Sequence, residues 1–375
     1  MPRRNTIRVA IVGCGIVGAM IAYELSQVPD LDIFVFEKDH PAEGSTGAAL
    51  GVLMGVISHK VKGRTWRLRQ ASIDRYQTLI DELRSQTNCP ISYNDQGILS
   101  LCFDAEQLPK WQSLQTTRTE QGYPLEIWSP AQLTERCPHI SLAGVSAAIY
   151  SPQDGQVDPT ELTAALVQAA RQNGTTFHMG TEITGIVPIS DGIARLSTAA
   201  ADISADWVVL SGGIGTTALM GSSPAPISLI PVFGKALRIK VTEPLGDASF
   251  QPVINGHDVH LVPHGEQVYS IGATVEFPAI PETVSLSTFQ PDPALFEQMQ
   301  RTAVGYCPAL SEAQTVNTWF NLRPRPQGQP APIIQPLAGF QNVMLATGHY
   351  RNGVLLAPAT AQQVKARILE GLGLD

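Results

Sequence analysis

The chain has 375 residues, of which 43% are hydrophobic and 15% charged, which suffices for two domains or one large discontinuous domain. The formal net charge is −8 and there is no long basic run, which argues against nucleic acid or an anionic membrane surface as the main partner. The five cysteines include no C-x-x-C pair, so we expect a reducing compartment and neither a disulfide framework nor a zinc or other metal site. No apolar run reaches the ~18 residues of a membrane span, and no cleavage site follows the first one, so we expect a soluble, cytoplasmic protein without a signal peptide.

The first predicted elements surround a glycine-rich turn. An apolar run at 7–12 predicts a strand, and Gly13-Cys14-Gly15-Ile16-Val17-Gly18 follows it and opens a helix. A second apolar run at 33–36 leads directly to Glu37. The glycines allow a tight turn and a close approach of the backbone to a pyrophosphate at a helix N-terminus, and the carboxylate can accept hydrogen bonds from ribose hydroxyls. This order of elements predicts a dinucleotide site without identifying the dinucleotide, with Cys14 as a packing residue rather than a thiol catalyst.

The chain then passes through a loop, a helix and an inserted region. Residues 41–55 are rich in glycine and other small residues, which suits close passage past a flat ligand. The spacing of apolar residues predicts a long helix over 64–84. The following texture indicates an α+β insertion with strands at 91–93 and 97–103 and helices at 105–121 and 129–133.

A second α/β region begins at Asp158, which is predicted to cap a helix that has Pro159 in its first turn and ends at 173–174. Gly212 and Gly213 follow a predicted strand, where they would again let the backbone approach a cofactor. The remaining predicted strands cover 175–178, 182–187, 206–210, 235–241, 259–262, 268–274, 315–322 and 343–346. A helix is predicted at 295–303, and a turn at 348–353 leads into a closing helix at 354–369.

These elements predict two interleaved domains. The parallel α/β texture assigns 1–85, 150–222 and 328–375 to a Rossmann-like nucleotide-binding domain. The strand-rich texture assigns 86–149 and 223–327 to a substrate domain of the α+β class, with a mixed or antiparallel sheet. No internal repeat is present.

Motifs along essentially the whole chain resemble the D-amino-acid oxidase family of FAD enzymes, whose fold is like that of glutathione reductase. Within that family the resemblance is closest to the glycine oxidases. The strongest match is the segment 348–358, GHYRNGVLLAP, which is similar to their C-terminal signature. Further matches are Leu322-Arg323-Pro324, the Ser45-Thr46 and 50–52 loop, and 261–263 followed by 271–274.

The resemblance implies non-covalent FAD and names the residues that hold it. Ile16, Val17, Glu37 and Lys38 would hold the ADP half beside Gly13, Gly15 and Gly18, and the backbone of Ile183 would meet the adenine. The pyrophosphate and flavin would pass Ser45, Thr46, Leu50, Gly51 and Val52, with Gly212 near the cofactor. The isoalloxazine ring would lie against Gly348, His349, Tyr350, Arg351, Asn352, Gly353, Val354 and Leu355. Because the closing helix begins near Asn352, its dipole would stabilise negative charge on a reduced flavin.

The resemblance also implies the substrate residues. Arg323 and Arg351 match arginines that hold an amino acid's carboxylate, for which a guanidinium offers two parallel hydrogen bonds. His260 stands where glycine oxidases carry a tyrosine, and it would either bond an amine or polar side chain or form part of the pocket wall. Tyr350 would contact the substrate or stack. The other departures are Val52 in place of methionine, and Asn321 and Arg325 in place of glycines, with Arg325 expected at the surface or mouth.

The predicted reaction is FAD-dependent oxidation of glycine, sarcosine or a small D-amino acid. Hydride transfer to flavin N5 and hydrolysis of the imine would give a 2-oxo acid, ammonia and hydrogen peroxide, without a general base. One alternative is a flavin dehydrogenase that passes electrons to a quinone or carrier. Others are an NAD-dependent dehydrogenase and a non-catalytic flavin-binding module. The resemblance further implies homo-oligomers and a link to thiamine biosynthesis.

Overall fold

The computed structural model describes residues 6–188, 193–221, 223–278 and 289–374. Its strands are β1 (Ile7–Val12), β2 (Leu31–Glu37), β3 (Val52–Leu53), β4 (Tyr93–Asn94), β5 (Ile98–Cys102), β6 (Glu126–Trp128), β7 (Ala147–Ser151), β8 (Gly155–Val157), β9 (Thr176–Met179), β10 (Gly185–Pro188), β11 (Ala194–Ser197), β12 (Asp202–Ala205), β13 (Trp207–Leu210), β14 (Leu229–Lys240), β15 (Val253–Gly256), β16 (Val259–Pro263), β17 (Val268–Gly272), β18 (Gln314–Pro326), β19 (Ile333–Pro336) and β20 (Val343–Thr347). Its α-helices are α1 (Ile16–Ser26), α2 (Gly63–Thr87), α3 (Leu108–Glu120), α4 (Pro130–Arg136), α5 (Pro159–Gln172), α6 (Pro293–Tyr306) and α7 (Gly353–Leu372).

A six-stranded sheet in the order β19-β20-β13-β1-β2-β9 forms the first layer, and all its neighbouring strands are parallel except β19 and β20. One face packs against α1, α5 and α7, with α2 outside them, and the other against the small antiparallel sheet β10-β11-β12. Because both faces are covered, β1 is a nearly continuous apolar run, with Val9 and Ile11 on one side and Ala10 and Val12 on the other.

A second, eight-stranded sheet has the order β18-β14-β17-β16-β15-β5-β7-β6 and is antiparallel except for the pair β15 and β5. One face packs against α4 and α6 around Leu237, Leu261 and Ile271. The other face packs against the loop 41–57 through residues such as Val262. This second face carries the candidate site, because the loop passes between the two sheets there.

The predicted fold class, a Rossmann-like α/β sheet combined with a mixed-sheet α+β part, is confirmed. Asp158 caps α5 as predicted, since its Oδ1 accepts hydrogen bonds from the backbone N–H of Thr160 at 2.9 Å and of Glu161 at 3.0 Å. No helix in the described ranges is long and apolar enough to cross a membrane.

Several predicted boundaries were wrong. The expected helix 105–121 is a 3₁₀ turn at Ala105–Gln107 followed by α3, because Asp104 caps the first turn separately. The strand expected at 91–93 is displaced to Tyr93–Asn94, and the one expected at 182–187 begins only at Gly185. The strand expected to end at Leu322 continues to Pro326, because β14 pairs with it along its whole length. Arg323 therefore lies within a strand rather than after one.

Candidate flavin and substrate site

In the glycine turn, the ends of β1 and β13 and the start of α1 approach so closely that there is no room for a Cβ atom at two of the glycines. Gly13 has φ +99°, and a Cβ atom there would lie 2.8 Å from the Cα of Gly212. A Cβ atom on Gly18 would lie 2.0 Å from the carbonyl oxygen of Gly13 and 2.7 Å from the Oγ of Ser211. The first and third glycines are therefore required for the packing of the turn itself, as the dinucleotide motif demands.

The N-terminus of α1 is the part of the turn suited to an anion. Gly15 is the N-cap residue and provides no side-chain cap, and the first turn contains no acidic residue. The N–H of Ile16 donates to the Oγ1 of Thr46 at 3.0 Å, and both residues line the large cavity described below. A phosphate beside Thr46 would be stabilised by the helix dipole and by backbone N–H groups.

Glu37 is fixed at the end of β2 beside this turn. Its two carboxylate oxygens accept hydrogen bonds from the N–H of Cys14 at 2.7 Å and of Asp39 at 3.1 Å. Lys38 is exposed and lies 3.7 Å from Asp39. Burial raises the pKa of Cys14 to about 12, so its thiol is neutral, as expected of a packing residue.

A cavity of about 700 Å³ lies between the loop 41–57, the eight-stranded sheet and the N-terminus of α7. It brings together many of the predicted site residues, namely Ile16, Ser45, Thr46, Leu50, Gly51, Val52, His260, Arg323, Tyr350, Arg351, Asn352, Gly353 and Val354. Other predicted residues lie outside its lining, namely Gly13, Gly15, Val17, Gly18, Glu37, Lys38, Ile183, Gly212, Gly348, His349 and Leu355. Ile183 packs near Phe36, on the sheet face opposite the helices.

The N-terminus of α7 opens into the cavity. Its N-cap residue, Asn352, makes no capping hydrogen bond, and Gly353 and Val354 line the cavity wall. Arg69, which the sequence analysis did not select, donates from Nη2 to the Oδ1 of Asn352 at 3.1 Å and from Nη1 to the carbonyl of Met54. Helical spacing carried a signal for Arg69, because it lies one turn before the buried Ile73 on the same stripe of α2.

Arg323 lies inside the cavity with its guanidinium flat against Gly234. Its Nη1 donates to the carbonyl oxygens of Phe233 and Thr274, both at 3.0 Å. A Cβ atom on Gly234 would lie 2.1 Å from Nη2, so only glycine leaves room for this position. Burial lowers the pKa of Arg323 to about 10, which still leaves it charged at neutral pH. Among the described residues, no carboxylate lies within 4.0 Å of this cation.

Arg351 has different surroundings, because it forms a two-pronged ion pair with Asp258. Nη1 and Nη2 each lie 2.8 Å from one carboxylate oxygen of Asp258. The hydrogen bonds raise the pKa of Arg351, and they hold the pKa of Asp258 below its ordinary value although burial acts in the opposite direction. No sequence motif marks Asp258, so the sequence alone does not predict this pair.

A row of polar residues crosses three neighbouring strands of the eight-stranded sheet. Asn255 on β15 pairs in register with Ser100 on β5 and with His260 on β16, and its Nδ2 donates to the Oγ of Ser100 at 3.1 Å. Burial lowers the pKa of His260 to about 4, so its imidazole is neutral at pH 7. Within the described chain, the Nδ1 of His260 and the Oδ1 of Asn255 have no hydrogen-bond partner. Sequence reasoning found only His260, because the register that aligns the row is not visible in the sequence.

Tyr350 lines the cavity and has φ +55°. The exposed guanidinium of Arg325 lies 5.7 Å from the centre of the Tyr350 ring and 5.1 Å from that of Phe277. Arg325 is therefore a surface residue beside Tyr350 and is not part of the cavity lining. Asn321 instead joins two segments, since its Nδ2 donates to the carbonyl of Gly44 at 3.0 Å.

These features fit FAD. Helix α1 has an N-cap residue without a side chain, and the hydroxyl of Thr46, which accepts a hydrogen bond from its first N–H, lines a cavity that reaches the N-terminus of α7. The space from the N-terminus of α1, past Thr46 and through the cavity to Arg323 suits an elongated ligand that has an anionic group in its middle and a flat ring at one end.

Comparison with known proteins gives the family. The model of the DAO family, described as FAD dependent oxidoreductase, matches residues 8–367. The glycine oxidase of Geobacillus kaustophilus is 27% identical over 352 residues, which cover 94% of this chain and 90% of the relative. The bifunctional protein ThiO/ThiG of Synechocystis sp. is 29% identical over 376 residues, and the match covers 98% of this chain but only 52% of that relative. The crystal structure of glycine oxidase from Geobacillus kaustophilus superimposes with a TM-score of 0.86 at 26% identity, covering 97% of this chain and 95% of that one. The chain therefore belongs to the DAO family of FAD-dependent oxidoreductases.

Proposed function

We propose that the protein oxidises the α-amine of a small amino acid, such as glycine, sarcosine or a D-amino acid. The amino acid, water and O₂ would give a 2-oxo acid, hydrogen peroxide and the released amine, which is ammonia from a primary amine and methylamine from sarcosine. Bound FAD supplies a hydride acceptor, flavin N5, for the hydrogen on the substrate's α-carbon. The observation that carries the proposal is Arg323, a partly buried cation in the cavity wall that lacks a carboxylate partner among the described residues.

Arg323 would anchor the substrate's carboxylate. Its Nη1 is used by two backbone carbonyls, which fixes the plane of the guanidinium and leaves Nη2 and Nε for a ligand. A buried, charge-assisted pair of this kind orients the substrate as well as binding it. The neutral imidazole of His260 lies in the same cavity, where it would contact the amine or the side chain of the substrate.

The cofactor would be held by the residues named from the sequence. The N-terminus of α1 and Thr46 would meet the pyrophosphate, and Glu37 would lie near the ribose. The N-terminal dipole of α7 at Gly353 would stabilise negative charge on the reduced ring. Non-covalent attachment is supported by Cys307, which is fully buried in the core of the eight-stranded sheet and not part of the cavity lining.

The division into domains follows the two sheets. The strands of the six-stranded sheet all fall in 1–85, 150–222 or 328–375, which we propose as the FAD domain. Those of the eight-stranded sheet fall, but for the end of β7, in 86–149 and 223–327, the proposed substrate domain. O₂ as electron acceptor, a homo-oligomeric state and a cytoplasmic, reducing location are further proposals. The last is supported by the cysteines, all free.

The test is anaerobic reduction of the yellow holoenzyme by glycine, sarcosine, and D- and L-amino acids. We expect at least one small amino acid to bleach the flavin and, in air, to produce peroxide. Bleaching without peroxide would favour the dehydrogenase alternative, and yellow protein that no amino acid bleaches would contradict catalysis. If the protein contains no bound flavin after it has been refolded with FAD, both the oxidase and the dehydrogenase proposals are contradicted.

The carboxylate assignment has its own variant. Arg323→Ala should keep the flavin spectrum and raise KM by about 100-fold, because a charge-assisted pair shielded from water in the cavity contributes up to ~3 kcal/mol. Arg325→Ala is the matched control, since this exposed arginine lies two residues further along the same strand and outside the cavity lining. Unchanged KM in Arg323→Ala, or an equal effect of both variants, would contradict the assignment.

A further inference from the structure

Asp258 is held at the cavity by a tight hairpin. Gly256 pairs with Val259 across β15 and β16, so His257 and Asp258 form a two-residue loop. Both have positive φ, +52° and +64°, as in a type I′ turn, in which both central residues are left-handed. Aspartate tolerates this conformation, and the short turn fixes the position of its carboxylate.

An ion pair joins the hairpin to the turn before α7. Arg351 uses both terminal nitrogens on the two oxygens of Asp258, each at 2.8 Å. A guanidinium fork matches one carboxylate at a time in this geometry. Since both residues line the cavity, the pair removes one cationic site from the surface that a substrate meets.

The other cations of the lining are also accounted for. The arginines and lysines that line the cavity within the described ranges are Arg69, Arg323 and Arg351. Arg69 is bonded to the carbonyl of Met54 and to Asn352, and Arg351 is bonded to Asp258. Arg323 therefore remains as the single cation available to an incoming carboxylate.

We propose that Asp258 determines specificity: by holding Arg351, it restricts the substrate to amino acids with one carboxylate. This inference rests on the proposed function. A second carboxylate would find Arg351 occupied and the negative charge of Asp258 beside it, whereas a neutral or cationic side chain meets no such barrier. Asp258 acts here through charge, and it is not assigned a step in the oxidation.

The probes are acetate and malonate, which carry one and two carboxylates and are not amines. Each is titrated into the FAD-loaded full-length protein, and its Kd is read from the change in the visible flavin spectrum. In Asp258→Asn, the ratio of the malonate Kd to the acetate Kd should fall roughly tenfold, the value of one charge-assisted pair. Asparagine keeps the size and the left-handed backbone of the turn, and the half-exposed pair contributes little to stability, so the variant should fold.

Two further variants isolate the cause. Asp202→Asn makes the same change in charge and breaks the exposed pair of Asp202 with Arg195 on β11–β12, outside the cavity lining, so it should leave the ratio unchanged. Adding Arg351→Gln to Asp258→Asn should abolish the gain, because the freed guanidinium is then absent. An unchanged ratio in Asp258→Asn, including absence of any response to either acid, contradicts the inference. The inference is also contradicted if the Kd ratio falls as much in the double variant with Arg351→Gln as in Asp258→Asn alone.

The proposed function fails in a different experiment. If no amino acid reduces the wild-type flavin, the oxidase proposal is wrong, yet the acetate and malonate titrations still report on the Asp258–Arg351 pair. If sarcosine reduces the flavin, iminodiacetate, its analogue with a second carboxylate, should do so at least tenfold less efficiently and should gain in Asp258→Asn. Equal efficiency in the wild type would overturn the inference and leave the oxidase proposal standing.

Discussion

Gly234 is the residue on which the position of Arg323 depends most directly. In Gly234→Ala the new Cβ atom would lie 2.1 Å from Nη2 and 2.3 Å from Cζ of Arg323. Normal contact between such atoms begins near ~3.5 Å, so the guanidinium must move by about 1.4 Å. Because the colliding atoms are the end of a long side chain, strand β14 can keep its place and the guanidinium moves instead.

The expected loss of kcat/KM follows from the hydrogen bonds that Arg323 loses when its guanidinium moves. Arg323 loses the geometry of its 3.0 Å hydrogen bonds to the carbonyls of Phe233 and Thr274, and with it the fixed plane that the substrate carboxylate requires. A misplacement of ~1 Å at a positioning group costs about 100-fold in rate. We therefore expect kcat/KM to fall by about 100-fold, while overpacking lowers the free energy of unfolding by only about 1–3 kcal/mol.

The assay is anaerobic stopped-flow reduction of the flavin at increasing concentrations of the best amino acid, with FAD content measured by absorbance. Gly185→Ala is the matched control, because Gly185 also lies in a strand and no heavy atom lies within 4 Å of its added Cβ. In an Arg323→Ala background, Gly234→Ala should cost little more, since the group it displaces is gone. The reasoning is refuted if the flavin of Gly234→Ala is reduced at the wild-type rate and with the wild-type affinity for the amino acid. It is also refuted if the losses in kcat/KM of the two single variants add up in the double variant.

Two further predictions concern cofactor binding and stability against pH. Gly13→Ala should lose FAD and lower the Tm, because φ is +99° and the Cβ atom meets the Gly212 backbone, whereas Gly44→Ala meets no atom within 4 Å and should change neither. Burial lowers the pKa values of four histidines from 6.5, to about 4 for His139, His260 and His264 and about 3 for His349. As the pH falls, these histidines become protonated near pH 6.5 in the unfolded chain but only near pH 3 to 4 in the folded protein. Their burial therefore costs no free energy of unfolding above about pH 6.5. Below that pH the free energy of unfolding falls by ~1.4 kcal/mol per pH unit for each histidine, down to about pH 4. Tm measured from pH 8 to 4 should fall, and less steeply in His349→Gln; a Tm that rises as the pH falls, or an equal slope in the variant, would count against this.

The parts of the structure that the sequence predicted are those with local causes. The turn at 13–18 is recognisable because glycine is required at positions set by neighbours within a few residues and by one adjacent strand. The capping of α5 by Asp158 is similarly local, since its partners are the next two N–H groups after Pro159. The signature at 348–358 predicted the start of α7 for the same reason.

The parts that the sequence did not predict are set by strand register and by packing between distant segments. Arg351 and Asp258 are 93 positions apart, and the Phe233 carbonyl that holds Arg323 is 90 positions away. Neither spacing has a period or motif. The contacts of Arg323 depend on how β14 and β18 align, and the Arg351–Asp258 pair depends on how the turn before α7 packs against the hairpin of β15 and β16. The extension of β18 through Arg323 was missed for this reason as well.

This division between local and long-range causes places cofactor and substrate recognition in different parts of the chain. The cavity floor contributed by β15, β16 and their turn carries Asn255, Asp258 and His260, none of them in the FAD turn. Their neighbours across the sheet are Ser100, which pairs with Asn255, and Gly272, which pairs with His260. Under the proposed function, exchanging side chains on this hairpin would change which carboxylates and amines the cavity accepts, while the glycine turn would continue to hold the flavin.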